Sequence, residues 1–307
     1  MNMTKTTTIM ATILLLVGLL VGCGDVSEDT SGQDFSQVQI KATEVSEGIY
    51  MLEGSGGNLG LSVGEDGVFL IDDQFAPLTE KILTAIANIT DDDVRFLVNT
   101  HWHGDHTGGN ENLGKAGAVI VAHDNVRARM SAEQFREVFD QRIPASPAAA
   151  LPVVTFPDKV TFHWNKERIV VMHVENAHTD GDSIVHFSNA DVFHLGDVFF
   201  NGFYPFIDVS SNGSLEGYIR AVESVVMRAS EDTVIIPGHG PLADADDLRA
   251  YLEVLRTARE RIQSMIDDGM SEDEVVAALP MADYDEQWGG GFMNPENFLR
   301  LSYQSLQ

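Results

Sequence analysis

Apolar residues follow two periods along this chain. From about residue 38, short apolar runs dominate: Val38 to Val45, Ile49 to Glu53, Leu59 to Val63 and Val68 to Ile71, divided by turn-forming stretches most of which contain glycine. Runs of this length and spacing predict a meander of strands. The period then lengthens, and Leu78, Ile82, Leu83, Ile86 and Ile89 fall on one helical face. The apolar run "RFLVN" predicts a further strand. A short helix, a strand near Ala118 to Ala122 and a second helix follow, and the Ala/Pro-rich segment Pro144 to Pro152 reads as irregular loop. Strands are then expected near Val160 to His163, Ile169 to Val174, Ser183 to Phe187, Val192 to Leu195 and Val234 to Ile236. Ser214 can cap a helix to about Arg228, with Leu215, Tyr218, Ile219, Val222 and Val226 on one face. Asp247 to Asp268 is the longest helical pattern and Gly269 can end it. Ser271 and Glu274 form a capping-box pattern for a short last helix.

The order of strands, helices, strands, helices predicts an α/β domain of sheets covered by helices. No fixed-period repeat and no clear linker divide it after residue 38. One domain over 38–307 is expected, with a helical extension from about 270.

The first 37 residues follow a different pattern. Lys5 is the only charge before the apolar run Ile9 to Val21, which is too short to span a bilayer but suits an export signal. The only cysteine, Cys23, ends this run, so no intrachain disulfide can form. Leu20-Val21-Gly22-Cys23 resembles a bacterial lipobox. That resemblance implies a signal peptide over 1–22, cleavage before a lipidated Cys23, and a lipid anchor as the only membrane contact. It places the protein in the cell envelope facing the periplasm, and Gly24 after the cysteine points to the outer membrane. The polar stretch to about Gln37, "GDVSEDTSGQDFSQ", reads as a flexible tether over 23–37.

Composition alters this picture at one point. The hydrophobic and charged fractions, 44% and 21%, are ordinary. Against 19 Lys and Arg stand 47 Asp and Glu, a formal charge of −28. Such a surface repels phosphate backbones and argues against nucleic acid as a partner.

The chemistry is concentrated in four short motifs. "NTHWHGDHTGGN", Asn99 to Asn110, sets His101, His103, Asp105 and His106 where a strand gives way to a loop, and Gly104 permits the backbone to turn there. "NAHTDGD" supplies His178, "HLGDVFF" supplies Asp197 and "IPGHGP" supplies His239, each after a strand-like run. Taken singly, a histidine or Gly-Asp in such a turn is commonplace. Together they are a donor set that suits zinc and leaves an open position for catalysis. The other histidines, His123, His163, His173, His186 and His194, lie alone in strands or at strand ends and read as surface or core-edge residues.

The joint order HxHxDH, His, Asp, His over roughly Gln39 to Ile266 resembles the metallo-β-lactamase superfamily. The resemblance implies an αβ/βα sandwich of two mixed sheets flanked by helices. It implies two zinc ions per chain, with iron or manganese left open. His101, His103 and His178 would hold the first ion, and Asp105, His106 and His239 the second. Asp197 would bridge them, so that Asp105 and Asp197 join in catalysis, and Asp72 at the end of a strand would support the site from behind. The activity implied is attack of a metal-bridging hydroxide on an amide or ester carbonyl of a small molecule.

The sequence departs from the best-known β-lactamases of that family. Asp197 stands where they carry cysteine, His106 where they usually carry a basic residue, and Val198, Phe199, Phe200 and Asn201 follow Asp197 where they place a lysine. The Asp197/His106 pattern looks like hydroxyacylglutathione hydrolases and lactonases. "FHLGDVFFNGFYPFIDVSSNGSLEGYIRAV" looks like the exported, β-lactamase-like branch, and export favours β-lactam amides as substrates. A lactonase or other ester or thioester hydrolase is the alternative enzyme, and a non-catalytic metal-binding envelope protein the alternative of another class. Phe199, Phe200, Phe203, Tyr204 and Phe206 form either core or an apolar wall beside the metals.

Overall fold

The computed structural model describes residues 34–307. The expected signal peptide, Cys23 and most of the tether lie outside the described residues. Strands β1 (Lys41–Ser46), β2 (Ile49–Glu53), β3 (Leu59–Ser62) and β4 (Val68–Ile71) form an antiparallel meander. Helix α1 (Thr79–Ala87) returns the chain to β5 (Val94–Val98), parallel to β4. The single-turn α2 (Gly104–Thr107) and α3 (Asn110–Ala116) lead to β6 (Val119–His123), again parallel. After α4 (Asp124–Met130), a hairpin of β7 (Gln134–Arg136) and β8 (Gln141–Ile143) stands apart as its own two-stranded sheet. Strand β9 (Val154–Phe156) completes a seven-stranded sheet of order β1-β2-β3-β4-β5-β6-β9.

The second sheet has five strands: β10 (Lys159–Trp164), β11 (Glu167–His173), β12 (Ser183–Phe187), β13 (Val192–His194) and β14 (Val234–Ile236). The first four run antiparallel. Strand β14 joins β13 in parallel, reached through α5 (Leu215–Val226). Helices α6 (Ala245–Asp267), α7 (Glu272–Ala278), α8 (Asp285–Trp288) and α9 (Pro295–Ser305) follow.

The side-chain period explains the layering. Along β4, Phe69 and Ile71 enter the core between the sheets, while Val68 and Leu70 face the other way, toward α1 and α3. Ile49, Met51 and Val98 of the first sheet meet Ile169, Val171, Val185 and Ile236 of the second in that central layer. The outer face of the second sheet is covered by Leu215, Tyr218 and Val222 of α5, Leu248 and Leu255 of α6, and Phe298 and Leu301 of α9. A strand apolar on both faces is therefore one buried between two layers. The result is the expected αβ/βα sandwich.

Three boundaries differ from the sequence reading. The helix from Ser271 is not the last, because α9 packs against α6 and α7; the polar, glycine-rich segment before Asn294 hid it. The hairpin β7–β8 and strand β9 are too short for a period to register. Residues 34–37, assigned to the tether, belong to the folded domain. Phe35 is buried, its ring centroid 5.3 Å from that of Phe75, and Lys81 Nζ donates to the carbonyls of Phe35, Ser36 and Val38. Phe35→Ala should therefore lower unfolding free energy by about 3 kcal/mol, the low end for a buried Phe. Chemical denaturation would check this, and an unchanged midpoint would return residues 34–37 to the tether.

Candidate metal centre

Strands β5, β13 and β14 end at one edge of the sandwich, and the loops that follow them meet there. At the end of β5, the first and last residues of the His-rich motif clamp one another. Asn99 Nδ2 donates to Asn110 Oδ1 at 3.0 Å, and Asn110 Nδ2 donates back to Asn99 Oδ1 at 2.9 Å. This closes the loop over its own ends. His103 has extended backbone and Gly104 begins α2, which turns Asp105 and His106 out of the line of His101 and His103. After β13, Gly196 at φ 50° lets Asp197 turn inward, in a spot where a Cβ would lie 2.7 Å from the side chain of Thr100. His239 follows β14 and its ring stacks on Phe200 at 5.2 Å. His178 sits in the loop after β11. Asp182 holds that loop, accepting from the His178 amide at 2.6 Å and the Thr179 amide at 2.8 Å.

The seven side chains singled out in the sequence come together as two groups. His101, His103, His178 and Asp197 form one; Asp105, His106 and His239 form the other; within each group the donor atoms lie within 4.8 Å of one another. Asp197 faces both. Its Oδ2 is 3.5 Å from His178 Nε2 and 3.8 Å from His101 Nε2. Its Oδ1 is 3.0 Å from His106 Nε2 and 3.5 Å from His239 Nε2. Asp105 Oδ2 completes the second group, 3.2 Å from His239 Nε2 and 3.6 Å from His106 Nε2.

These spacings fit a cation. Donors about 2.0–2.1 Å from a tetrahedral zinc stand roughly 3.3 Å apart. Most of the separations here bracket that edge. Buried His101 Nε2 has no hydrogen-bond partner, and His106 Nε2 and Asp197 Oδ1 face each other at 3.0 Å without hydrogen-bond alignment, an arrangement that suits an ion among them. His103 Nδ1 and His178 Nε2 approach to 2.8 Å, both turned toward the centre.

The far nitrogens of the imidazoles are tied down. His103 Nε2 meets Asp208 Oδ2 at 2.9 Å, and His106 Nδ1 meets Asp72 Oδ2 at 2.7 Å. His178 Nδ1 donates to the Phe206 carbonyl at 2.7 Å. Such partners fix ring orientation and raise donor strength. Asp72 also accepts from the Thr100 amide and hydroxyl, both at 2.7 Å, and sits in the left-handed region at φ 59°. Asp208 and Asp182 escaped the sequence reading. Asp208 lies 105 residues from His103 in "FIDVSS", a segment with no local signal.

Electrostatics divides the two groups. Burial and the neighbouring His106 push His101 well below the usual imidazole range. Burial also takes His103 down to about 4, against its hydrogen bond to Asp208. These rings are neutral, as donors must be. Burial opposes charge on His106 and His239 too, but Asp197 and Asp105, with Asp72 at His106, outweigh it. His106 rises well above the ordinary range and His239 reaches about 10. Burial resists ionisation of Asp197, yet His106 and His239 hold it well below the ordinary carboxylate range. The second group is thus one whose carboxylates favour positive charge, as a cation site must.

The remaining histidines lie outside the two donor groups. His194 is fully buried and its Nε2 donates to the Asn58 carbonyl at 3.0 Å; His123 and His173 stack face to face at 3.7 Å. The aromatic run divides: Phe199 and Tyr204 belong to the core, Phe200 backs His239, and Phe206 lies against His103 and His178.

The family model of the metallo-beta-lactamase superfamily matches residues 53–239, more than half of the chain. The chain belongs to the metallo-β-lactamase superfamily. That superfamily is a family of metal-dependent hydrolases. A curated relative, the beta-lactamase-like protein 2 homolog of Caenorhabditis elegans, is 28% identical over 201 residues, 62% of this chain and 59% of the relative's length. Among solved structures, a metallo-β-lactamase from Pontibacter korlensis matches with TM-score 0.59 at 21% identity, covering 71% of this chain and 99% of that one. The DIM-1 metallo-β-lactamase matches at 0.58 and 19%, covering 72% and 100%. A double mutant of the sec-alkyl sulfatase PisA1 matches at 0.64 and 16%, covering 86% of this chain and 50% of that one. At these identities the structural likeness speaks for the fold.

Two substitutions test the centre. Asp72→Asn keeps a residue that tolerates the left-handed backbone but removes the anion behind His106. It should lower zinc affinity about 10–100-fold, read by competition with a chromophoric chelator. Gly57→Ala should also weaken metal binding, by on the order of tenfold or more, while the melting temperature holds. Its Cβ would stand 2.1 Å from His106 Cε1 and 2.4 Å from Nε2, so the ring must leave its place. Unchanged affinity in both would remove His106 from the site.

Proposed function

We propose that this chain is a binuclear zinc hydrolase acting on the carbonyl of a small molecule, with β-lactam amides as the leading substrate class. One observation carries the two-ion reading: Asp197 turns one oxygen to each donor group. His101, His103 and His178 would hold one ion, Asp105, His106 and His239 the other, and Asp197 both. Zinc bound there supplies a nucleophilic water at neutral pH and polarises the substrate oxygen.

The chain's own residues set the rest. Asp208 and Asp72 keep the protons of His103 and His106 on the nitrogens away from the centre, leaving the inward nitrogens as donors. His239 and Asp105 are the most exposed of the seven, at 27% and 26%, so substrate enters on their side. Phe200, stacked on His239, keeps that ring from turning toward solvent. Asp105, beside His239 and at the mouth, is placed to take the proton released as water attacks.

A second reading has its own support. Val198 and Phe199 are buried and Phe200 packs on His239, so the segment after Asp197 offers no cation to a β-lactam carboxylate. This favours a lactone or other ester. On the same footing we propose a lipid anchor at Cys23, which would set the enzyme in the cell envelope, where β-lactams act.

Metal analysis of gently purified protein at saturating zinc should approach two equivalents, and His239→Ala should bring it toward one. A hydrolysis panel of β-lactams, acyl-homoserine lactones and thioesters decides between the readings. On the best substrate found, Asp197→Ala should cost at least about a hundredfold, because the ions lose the group that spaces them. One equivalent of zinc in the unmutated protein would contradict the two-ion assignment.

A further inference from the structure

Helix α5 is seated on the loop that carries His178. Ser214, its N-cap, donates from its hydroxyl to the Asn176 carbonyl at 2.7 Å and from its amide to the Ala177 carbonyl at 2.9 Å. A Cβ at Gly217 would lie 1.6 Å from that same Asn176 carbonyl oxygen, so only a glycine lets the helix come this near. A Cβ at Gly213 would lie 2.2 Å from the His178 carbonyl oxygen. The residue after Gly217 is Tyr218, and this close seating carries it behind the metal centre.

Tyr218 is fully buried in the core on the outer face of the second sheet. Packing there asks only for the ring, which a phenylalanine would supply. The hydroxyl has separate work, because it meets three groups at once. It lies 2.8 Å from the Phe206 carbonyl, 2.9 Å from the Asp197 carbonyl and 3.1 Å from His178 Nδ1. The Phe206 carbonyl also takes the His178 Nδ1–H at 2.7 Å. The phenol therefore gives its proton to a carbonyl and offers its oxygen to the imidazole N–H. A hydroxyl so deeply buried is costly unless such bonds are made. Its partners come from separate segments: His178 from the loop after β11, Asp197 from the turn after β13, and Phe206 from the aromatic run. His103 and His106 lean on the carboxylates of Asp208 and Asp72, whereas His178 leans on a carbonyl and this phenol.

We infer that Tyr218 is a positioning residue of the metal centre, whose hydroxyl holds the His178 imidazole in register with the main chain at Asp197. The proton stays on Nδ1, Nε2 faces inward, and the histidine and the carboxylate are presented to the first ion together. The inference rests on the metal-centre reading above and goes beyond it in naming what joins two of its donors.

Tyr218→Phe keeps the ring and removes only the oxygen. Tyr204→Phe is the control, since it takes the hydroxyl from another buried tyrosine, one bonded to Asp285 and to no donor of the centre. Thermal melting verifies that both variants fold. Zinc affinity is read by competition with a chromophoric chelator in full-length His239→Ala protein, where the first group is the site left complete. There Tyr218→Phe should lower the affinity by about tenfold or more, as the loss of an outer partner does, and Tyr204→Phe should leave it unchanged. A role in packing alone would move melting temperatures and spare zinc affinity in both. A second arm needs no metal and no variant. In the zinc-free unmutated protein, proton spectra with 15N-labelled histidine should show the His178 Nδ1–H, protected from solvent and joined by a cross-peak to the Tyr218 hydroxyl proton. Zinc affinity unchanged in Tyr218→Phe, an equal loss in Tyr204→Phe, or the absence of that cross-peak overturns the inference. Failure of the metal reading shows differently, as no zinc bound by the unmutated protein, and the proton arm then decides the role of Tyr218 by itself.

Discussion

One buried carboxylate organises this molecule. Asp197 stands among four imidazoles, with an oxygen aimed at each of two donor groups. In a low-dielectric interior such a group is tolerated only if positive charge sits against it. Asp197 in turn holds His106 and His239 above the ordinary imidazole range, the mark of a place that favours positive charge. The same geometry suits metal cations. The sandwich exists, in functional terms, to bring the ends of β5, β13 and β14 to one edge and hold their loops rigidly. The Asn99–Asn110 amide pair and the Asp182 turn show how much hydrogen bonding is invested in loops that would otherwise move.

Much of this was legible in the sequence, and for physical reasons. Metal donors cluster because a strand end followed by a tight turn is the cheapest way to converge several side chains. Their Gly and Pro neighbours follow from the same crowding, as Gly57 and Gly238 show. A Cβ at Gly238 would fall 2.2 Å from Asp197 Oδ1. The sheets were legible through apolar runs set between turns. What stayed hidden depends on contacts distant in sequence. Asp208 supports His103 across 105 residues, and α9 is fixed by packing on α6 and α7 rather than by a strong stripe of its own. Phe35 reads as a lone aromatic in a polar stretch until its place against Phe75 is seen.

The aromatic run after Asp197 shows the limit of local pattern from another side. Five rings in eight residues carry one compositional signal, yet their neighbours give them separate tasks. Phe199 faces Tyr251 in the core, Tyr204 stacks on Phe298 of α9, Phe200 backs a site histidine and Phe206 lies against His103. The C-terminal helices therefore do more than cover the second sheet. They hold Tyr204, and with it the aromatic segment.

The central claim is that Asp197 joins two ions at one site. Zinc-edge anomalous diffraction from crystals of the zinc-loaded protein reads this directly. The account predicts two peaks about 3.5–4 Å apart, one amid His101, His103 and His178, the other amid Asp105, His106 and His239, with the Asp197 carboxylate between them. A single peak at full zinc loading, or two peaks with the Asp197 carboxylate turned away from both, would contradict it.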